Sequence, residues 1–516
     1  MDWWTLILSL VVVALCIRHF FLRKLGKLEE LGIIHSKPWP IMGNMAGALF
    51  RRNPLVVEID KVYRLNEDAD YVGFYDFGEP VIMLRSPELM KTVAVKNFDH
   101  FVDHRGFVDA ARDPLFGKNL FSLRGEKWKE IRNLLSPAFT GSKMKAMFKL
   151  MMNCGKNFAE YLTERSTERP NVLDAKEAFT RYTNDVIATC AFGICVDSMR
   201  NPRNDFYVLG REATNFEGVL SLKFFLLRSF PTISKLLDVK LIHPRIERFF
   251  EGVVRDTIDT RDRQGITRPD MIQLMMETRG KKTGDAPELT IQDMTAQAFI
   301  FFFGGFDTSS TLMCFAAHMI AVNEHVQRRL VEEIDAVLED TKGDPDYDAI
   351  NGMQYLDAVV NETLRMYPVA AFLDRICVKR FELPPALPGG RPVVIEPGQN
   401  IWFPVYSIHM DSKYFAEPDR FDPERFMGNR KNEIDPFNYL PFGQGPRMCI
   451  GNRFALLEAK VVIFQLLARC HLRPSPKTGV PLKLSKKSFA MTAEGGFWLQ
   501  LEARNTPAAK ISANGF

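Results

Sequence analysis

The chain has 516 residues, 46% of them hydrophobic, which is enough to fill a large core. Its formal net charge of +4 is too mild to support nucleic-acid binding. The 8 cysteines (Cys16, Cys154, Cys190, Cys195, Cys314, Cys377, Cys449, Cys470) are scattered, with neither a disulfide framework nor zinc-ligand spacing, as suits a reducing compartment.

In chain order, Trp3 to Ile17 is apolar apart from Thr5 and Ser9, and Arg23, Lys24 and Lys27 follow a second short apolar run. Asp2, not a cation, precedes it, which argues against a cleaved signal peptide. Residues 1–24 are therefore expected to form one transmembrane helix, an endoplasmic-reticulum anchor leaving the bulk of the protein in the cytosol. Residues 25–44, with Lys37-Pro38-Trp39-Pro40, read as a stiff basic and proline-rich linker, and residues 45–516 as one large domain. Tyr71–Tyr75 and Pro80–Leu84 alternate and turn like a hairpin. Beyond about residue 120 the period is mostly helical, with strand-like pieces at 376–402 and near 488–502. The expected fold is mainly α with a minor β region.

Four segments carry chemistry. Thr290-Ile291-Gln292-Asp293 opens a long apolar helix with a capping box. Inside that helix Gly304-Gly305-Phe306-Asp307-Thr308 is locally unfavourable, at roughly 1 kcal/mol per glycine. Phe301, Gly304, Gly305, Thr308 and Leu312 share one helical face, so the glycines open a groove beside a hydroxyl. A plain helix contact through small residues, with a back-bonded Thr308, is the alternative. Glu362 and Arg365 lie one helical turn apart, a pairing too common to mean much alone. Trp128-Lys129-Glu130-Ile131-Arg132 offers an indole N–H and a guanidinium to a carboxylate. Finally, Phe442-Gly443-Gln444-Gly445-Pro446-Arg447-Met448-Cys449-Ile450-Gly451 sets one cysteine in a glycine-rich loop just ahead of a helical run. Close backbone approach, N–H donors and a helix N-terminus would suit a thiolate held against iron. The alternative is a small buried apolar residue.

The last segment resembles the cysteine-ligand loop of the cytochrome P-450 haem-thiolate monooxygenases, and the other motifs follow in that family's order over nearly the whole chain. Residues 37–44 are similar to the family's proline-rich hinge but lack its adjacent prolines. The resemblance implies a single large helical P-450 fold binding haem b (iron protoporphyrin IX), with Cys449 as metal ligand and Phe442 beside it. It puts Gly304 and Gly305 against the cofactor, gives Thr308 a hydrogen bond to iron-bound dioxygen or its water, and gives Asp307 a part in proton relay. Trp128, Arg132, Arg375, Arg447 and, more weakly, Arg105 match haem-propionate contacts, while Glu362, Arg365 and Arg425 (from Pro423-Glu424-Arg425-Phe426) match a buried structural triad. Electrons are expected from NADPH through a separate cytochrome P-450 reductase, with cytochrome b5 as a further donor, since no dinucleotide fingerprint is present. Arg124, Lys127, Lys129, Lys143, Lys145 and Lys149 read as a solvated face or as a docking surface for an acidic redox partner. Phe107, Phe116, Phe121, Phe224, Phe225, Phe301, Phe302, Phe372 and Phe489 fall in the segments that the resemblance assigns to the pocket, suggesting a lipophilic small-molecule substrate. Val369 to Cys377 and Leu383-Pro384-Pro385 look most like insect family-nine enzymes. A haem-thiolate isomerase or lyase, and a haem-binding sensor, are the rival readings; retained Asp307 and Thr308 argue against the first.

Overall fold

The computed structural model describes residues 3–5, 7–9, 11, 23–106, 108–168, 172–215, 219–268, 270–278 and 289–504. Most of the expected anchor lies outside the described residues.

The principal helices are α1 (Leu55–Tyr63), α2 (Gly125–Leu135), α3 (Gly141–Glu168), α4 (Ala175–Ile187), α5 (Asp205–Thr214), α6 (Val219–Ser229), α7 (Pro244–Gln264), α8 (Ile291–Val322), α9 (Glu324–Asp340), α10 (Gln354–Met366) and α11 (Asn452–Arg469). The strands are β1 (Tyr71–Asp76), β2 (Glu79–Leu84), β3 (Val172–Asp174), β4 (Leu373–Ile376), β5 (Phe381–Leu383), β6 (Val393–Ile395), β7 (Asn400–Phe403), β8 (Cys470–Pro474) and β9 (Trp498–Ala503). They form a four-stranded sheet in the order β1-β2-β7-β4, a three-stranded sheet β3-β9-β8, and the ribbon β5-β6. The expected hairpin is present, Tyr71 pairing with Leu84 and Tyr75 with Pro80.

Two apolar cores follow from this layout. One lies among the helices; the other, with Tyr63, Phe74 and Trp402, lies under the larger sheet. Helix α8 is apolar on every side and mostly buried among α4, α10, α11 and α7, as such a helix must be in a globular protein. Among the described residues it is the one helix long and apolar enough to cross a membrane, and its burial makes it a core helix. Its capping box forms as expected: Asp293 N–H donates to Thr290 Oγ1, and Thr290 N–H donates to Asp293 Oδ2, both at 3.1 Å. Residues 28–44, within the stretch 25–44 expected as a linker, are docked on the larger sheet. Leu28 and Ile33 are buried, Gly73 N–H donates to Ile34 O at 2.7 Å, and Asn44 N–H donates to Tyr75 O at 2.9 Å.

Candidate active site: a cysteine loop and a glycine-notched helix

The cysteine loop closes on itself by a hydrogen bond from Cys449 N–H to Phe442 O at 2.9 Å. Gly443 and Gly445 have φ of +75° and +77°, a conformation that L side chains rarely adopt. At Gly445 a Cβ would also collide with the Ala94 carbonyl, so only glycine lets the loop sit this close to its neighbour. The Cys449 side chain keeps accessible surface while the surrounding protein desolvates it, so it borders a space shielded from bulk water. Burial pushes its thiol pKa up, whereas the Gly451 N–H and the Arg132 guanidinium pull it back down.

Around that space the structure gathers cations. Arg447 is buried, lies 3.9 Å from the Trp128 ring centroid, donates to Val102 O and Leu123 O at 2.8 Å each, and sits 3.5 Å from Asp103. Arg375 is 2% exposed and donates to Asp374 O, but its Nε has no partner. Burial lowers the pKa of Arg375 to about 10 and that of Arg447 to about 9, the latter further depressed by Arg375. Among the described residues the Arg132 guanidinium and the Trp128 indole N–H have no hydrogen bond or ion pair, whereas the Arg132 carbonyl accepts from Ser136 Oγ at 2.7 Å. Asp103 serves Arg447, but the Arg132 guanidinium and the Arg375 Nε have no carboxylate partner, and a guanidinium left so is costly, so the cluster has room for a further anion. The two propionates of haem, with Cys449 for its iron, fit that requirement.

Helix α8 meets this loop through Phe139, whose ring packs 5.5 Å from Phe301 and 3.8 Å from where a Gly451 Cβ would stand. Its middle, Gly304–Thr308, is a π turn, a local widening often found at functional sites. A Cβ on Gly304 would meet nothing within 4 Å, whereas one on Gly305 would lie 2.6 Å from Ile187. Gly304 therefore faces open space, while Gly305 allows α4 to approach. Thr308 Oγ1 donates to Gly304 O, so the back-bonded conformation and the groove coexist. Asp307 points the other way: Lys176 Nζ on α4 donates to its Oδ1 at 2.8 Å, to Thr311 Oγ1 at 2.8 Å and to Ser310 Oγ at 2.9 Å.

Behind the loop, Arg365 makes a two-pronged pair with Glu362 at 2.7 and 2.9 Å, both side chains fully buried. Arg425 Nε lies 3.5 Å from Glu362 Oε1, which also accepts the Asp422 N–H at 2.9 Å. Arg365 donates further to His409 O and Pro418 O, so the pair anchors the segment leading to the cysteine loop.

Two expectations change here. The Arg105 guanidinium is directed to Asp76 Oδ2 at 2.8 Å, which Arg228 of α6 shares at 2.7 Å, because that carboxylate is buried and needs cations. Its neighbour His104 instead faces the arginine cluster, bonded to Asp374 Oδ1 at 3.0 Å and stacked on Phe121. Phe302 is core, packed on Phe192, Phe206, Phe250 and Phe306. Phe116 is likewise buried against Phe303, and Phe372 stacks on Trp402. Phe107 and the Phe225 side chain lie outside the described residues. Lys176, His104 and Asp374 had no local signal except, for Asp374, adjacency to Arg375.

A desolvated thiol beside guanidinium groups with free donors, near a notched helix, fits the haem-thiolate class of site. The family model for Cytochrome P450 matches residues 35–499. The chain is 46% identical to Cytochrome P450 9e2 of Blattella germanica over 497 residues, covering 91% of this chain and 92% of the relative. It is 37% identical to Cytochrome P450 9b2 of Drosophila melanogaster, covering 96% and 98%, and 34% identical to Cytochrome P450 6j1 of Blattella germanica, covering 97% and 98%. The protein belongs to the cytochrome P450 family: it is a monooxygenase, an oxidoreductase with haem as cofactor.

Proposed function

We propose that this enzyme inserts one oxygen atom from dioxygen into lipophilic small molecules, xenobiotic or endogenous, taking electrons from NADPH through a separate reductase and, in some turnovers, cytochrome b5. Cys449 would hold the haem iron, and Arg132, Arg375, Arg447 and Trp128 the propionates. Haem, when bound, supplies the dioxygen-activating chemistry, and the thiolate favours O–O cleavage.

The chain's own residues do the rest. Gly304 keeps the α8 groove open, and Thr308 Oγ1, whose proton is directed to Gly304 O, has lone pairs left to accept a hydrogen bond. Asp307 is half-exposed and held by Lys176, and this ion pair, one residue from Thr308 and open to solvent, would serve as its proton relay. Glu362, Arg365 and Arg425 keep the loop in place. The N-terminal segment, residues 1–24, would anchor the enzyme in the endoplasmic reticulum membrane with the domain at 45–516 in the cytosol, where the basic face of α2 and α3 meets the reductase.

The enclosure of Cys449 beside the unpaired Arg132 carries this reading. Cys449→Ala should abolish the reduced carbon-monoxide band characteristic of thiolate-ligated haem; a variant keeping band and turnover refutes the ligand assignment. Thr308→Ala should retain the band yet release peroxide, and fully coupled turnover there would remove Thr308 from proton delivery.

A further inference from the structure

We propose that His409 is the positioning residue that transmits the placement of the buried Glu362–Arg365 pair to the cysteine loop, acting as a neutral imidazole protonated on Nδ1. The ring is fully buried and makes two hydrogen bonds of opposite sense. Nδ1 lies 3.1 Å from the Arg365 carbonyl oxygen, which can only accept, so Nδ1 carries the proton. Nε2 receives the Leu440 backbone N–H at 2.8 Å, so it must offer a lone pair. Together these contacts assign one tautomer and one charge state.

The geometry around the ring reinforces the assignment. His409 O accepts from Arg365 Nη1 at 2.8 Å, so the two residues grip each other through main chain and side chain. The imidazole stacks on Tyr439 with centroids 5.3 Å apart, and the Tyr439 hydroxyl donates to Asn361 Oδ1 of α10 at 2.9 Å. Leu440 stands at the entry to the loop, and two residues on, Phe442 O accepts the Cys449 N–H. A continuous path thus runs from Glu362 through Arg365, His409 and Leu440 to Cys449. The charged groups near the ring are Arg365 and its partner Glu362, and the Arg365 charge together with burial holds His409 well below its ordinary pKa.

This inference rests on the reading of Cys449 as iron ligand, and the experiment separates the two. Full-length, haem-loaded protein is prepared as His409→Gln, His409→Asn and His409→Phe. Gln places an amide oxygen where Nε2 stands and can still accept from Leu440. Asn reaches only the Nδ1 position, and Phe keeps the stacking but no polar atom. The rate at which the thiolate-type carbon-monoxide band is lost is followed at a temperature where far-UV circular dichroism is steady. Asn and Phe should lose the band about tenfold faster than the parent, as expected when a buried N–H loses its acceptor, and Gln within about twofold of it. A Phe variant as durable as the parent, a Gln variant no better than Phe, or band loss that merely tracks global unfolding overturns the proposal. In the unmodified protein the Leu440 amide should resist hydrogen exchange; rapid exchange there overturns it even should every variant fail to fold. Failure of Cys449→Ala to remove the band would instead defeat the ligand reading and leave the Leu440 exchange result standing.

Discussion

Glu458 offers the most quantitative test of the packing around this site. It sits in α11, fully buried, and neither carboxylate oxygen has a hydrogen-bond partner. Burial raises its pKa from the ordinary 4.5 to about 8, and the neighbouring Ser309 hydroxyl offsets this only in part. The folded state therefore holds a proton that the unfolded state releases above 4.5. This group's contribution to stability is complete below 4.5 and is lost as pH rises through about 8. At about 1.4 kcal/mol per pH unit, and less as the folded group itself begins to titrate near 8, stability should fall by about 2 kcal/mol between pH 6 and 8 from this residue alone. Glu458→Gln keeps the shape and removes the titration. Denaturant unfolding of parent and variant, both haem-loaded, at pH 6, 7 and 8 should show the variant gaining by that amount over the range. Curves that stay parallel across pH would refute the claim that Glu458 is protonated in the fold.

Removal of the ammonium in Lys176→Met should change stability by less than about 1 kcal/mol, because the pair with Asp307 is about one-third exposed on each side. It should nevertheless alter the fraction of NADPH electrons released as peroxide, and an unchanged fraction would separate Lys176 from proton delivery. Glu362→Gln leaves Arg365 and Arg425 buried without their anion and should cost about 3–5 kcal/mol, read as haem loss at lower denaturant. Gly305→Ala drives a methyl toward Ile187 and should cost about 1–3 kcal/mol in thermal unfolding, most of it recovered in the double variant with Ile187→Ala. Protonation of His409, whose pKa burial lowers to about 3, is disfavoured in the fold. Below the ordinary histidine value of 6.5 the unfolded chain alone takes up that proton, so the thiolate-type band should become progressively less stable as pH falls from about 6.5 toward 3.

Much was legible from local chemistry. The capping box at Thr290, the β1–β2 hairpin, the helix ending at Met366 and the enclosed cysteine loop each depend on residues close together in the chain, where spacing and turn chemistry act directly. The arginines expected to face propionates were legible in residue type, and Arg132 stands near both Cys449 and Arg447, with Arg375 beside Arg447. What could not be read was direction. Whether Arg105 or His104 turns toward that cluster depends on Asp76, whose buried carboxylate draws both Arg105 and Arg228. The stretch at 25–44 had the composition of a linker, yet Leu28 and Ile33 find apolar surface on the sheet and hold it down. Phe302 shares its residue type with Phe301 but lies on the side of α8 that packs against α5 and α7.

Taken by itself, the sequence determined the reaction class through the resemblance its motifs carry, the cysteine loop and the notched helix each setting particular residues at short spacing. Only the tertiary structure decided the partners: Lys176 on Asp307, Asp76 on Arg105, His409 between Arg365 and Leu440, and the isolation of Glu458. Each of those depends on segments tens to hundreds of residues apart. There the cost of burying a charge or an unpaired N–H selects among contacts that no local pattern encodes.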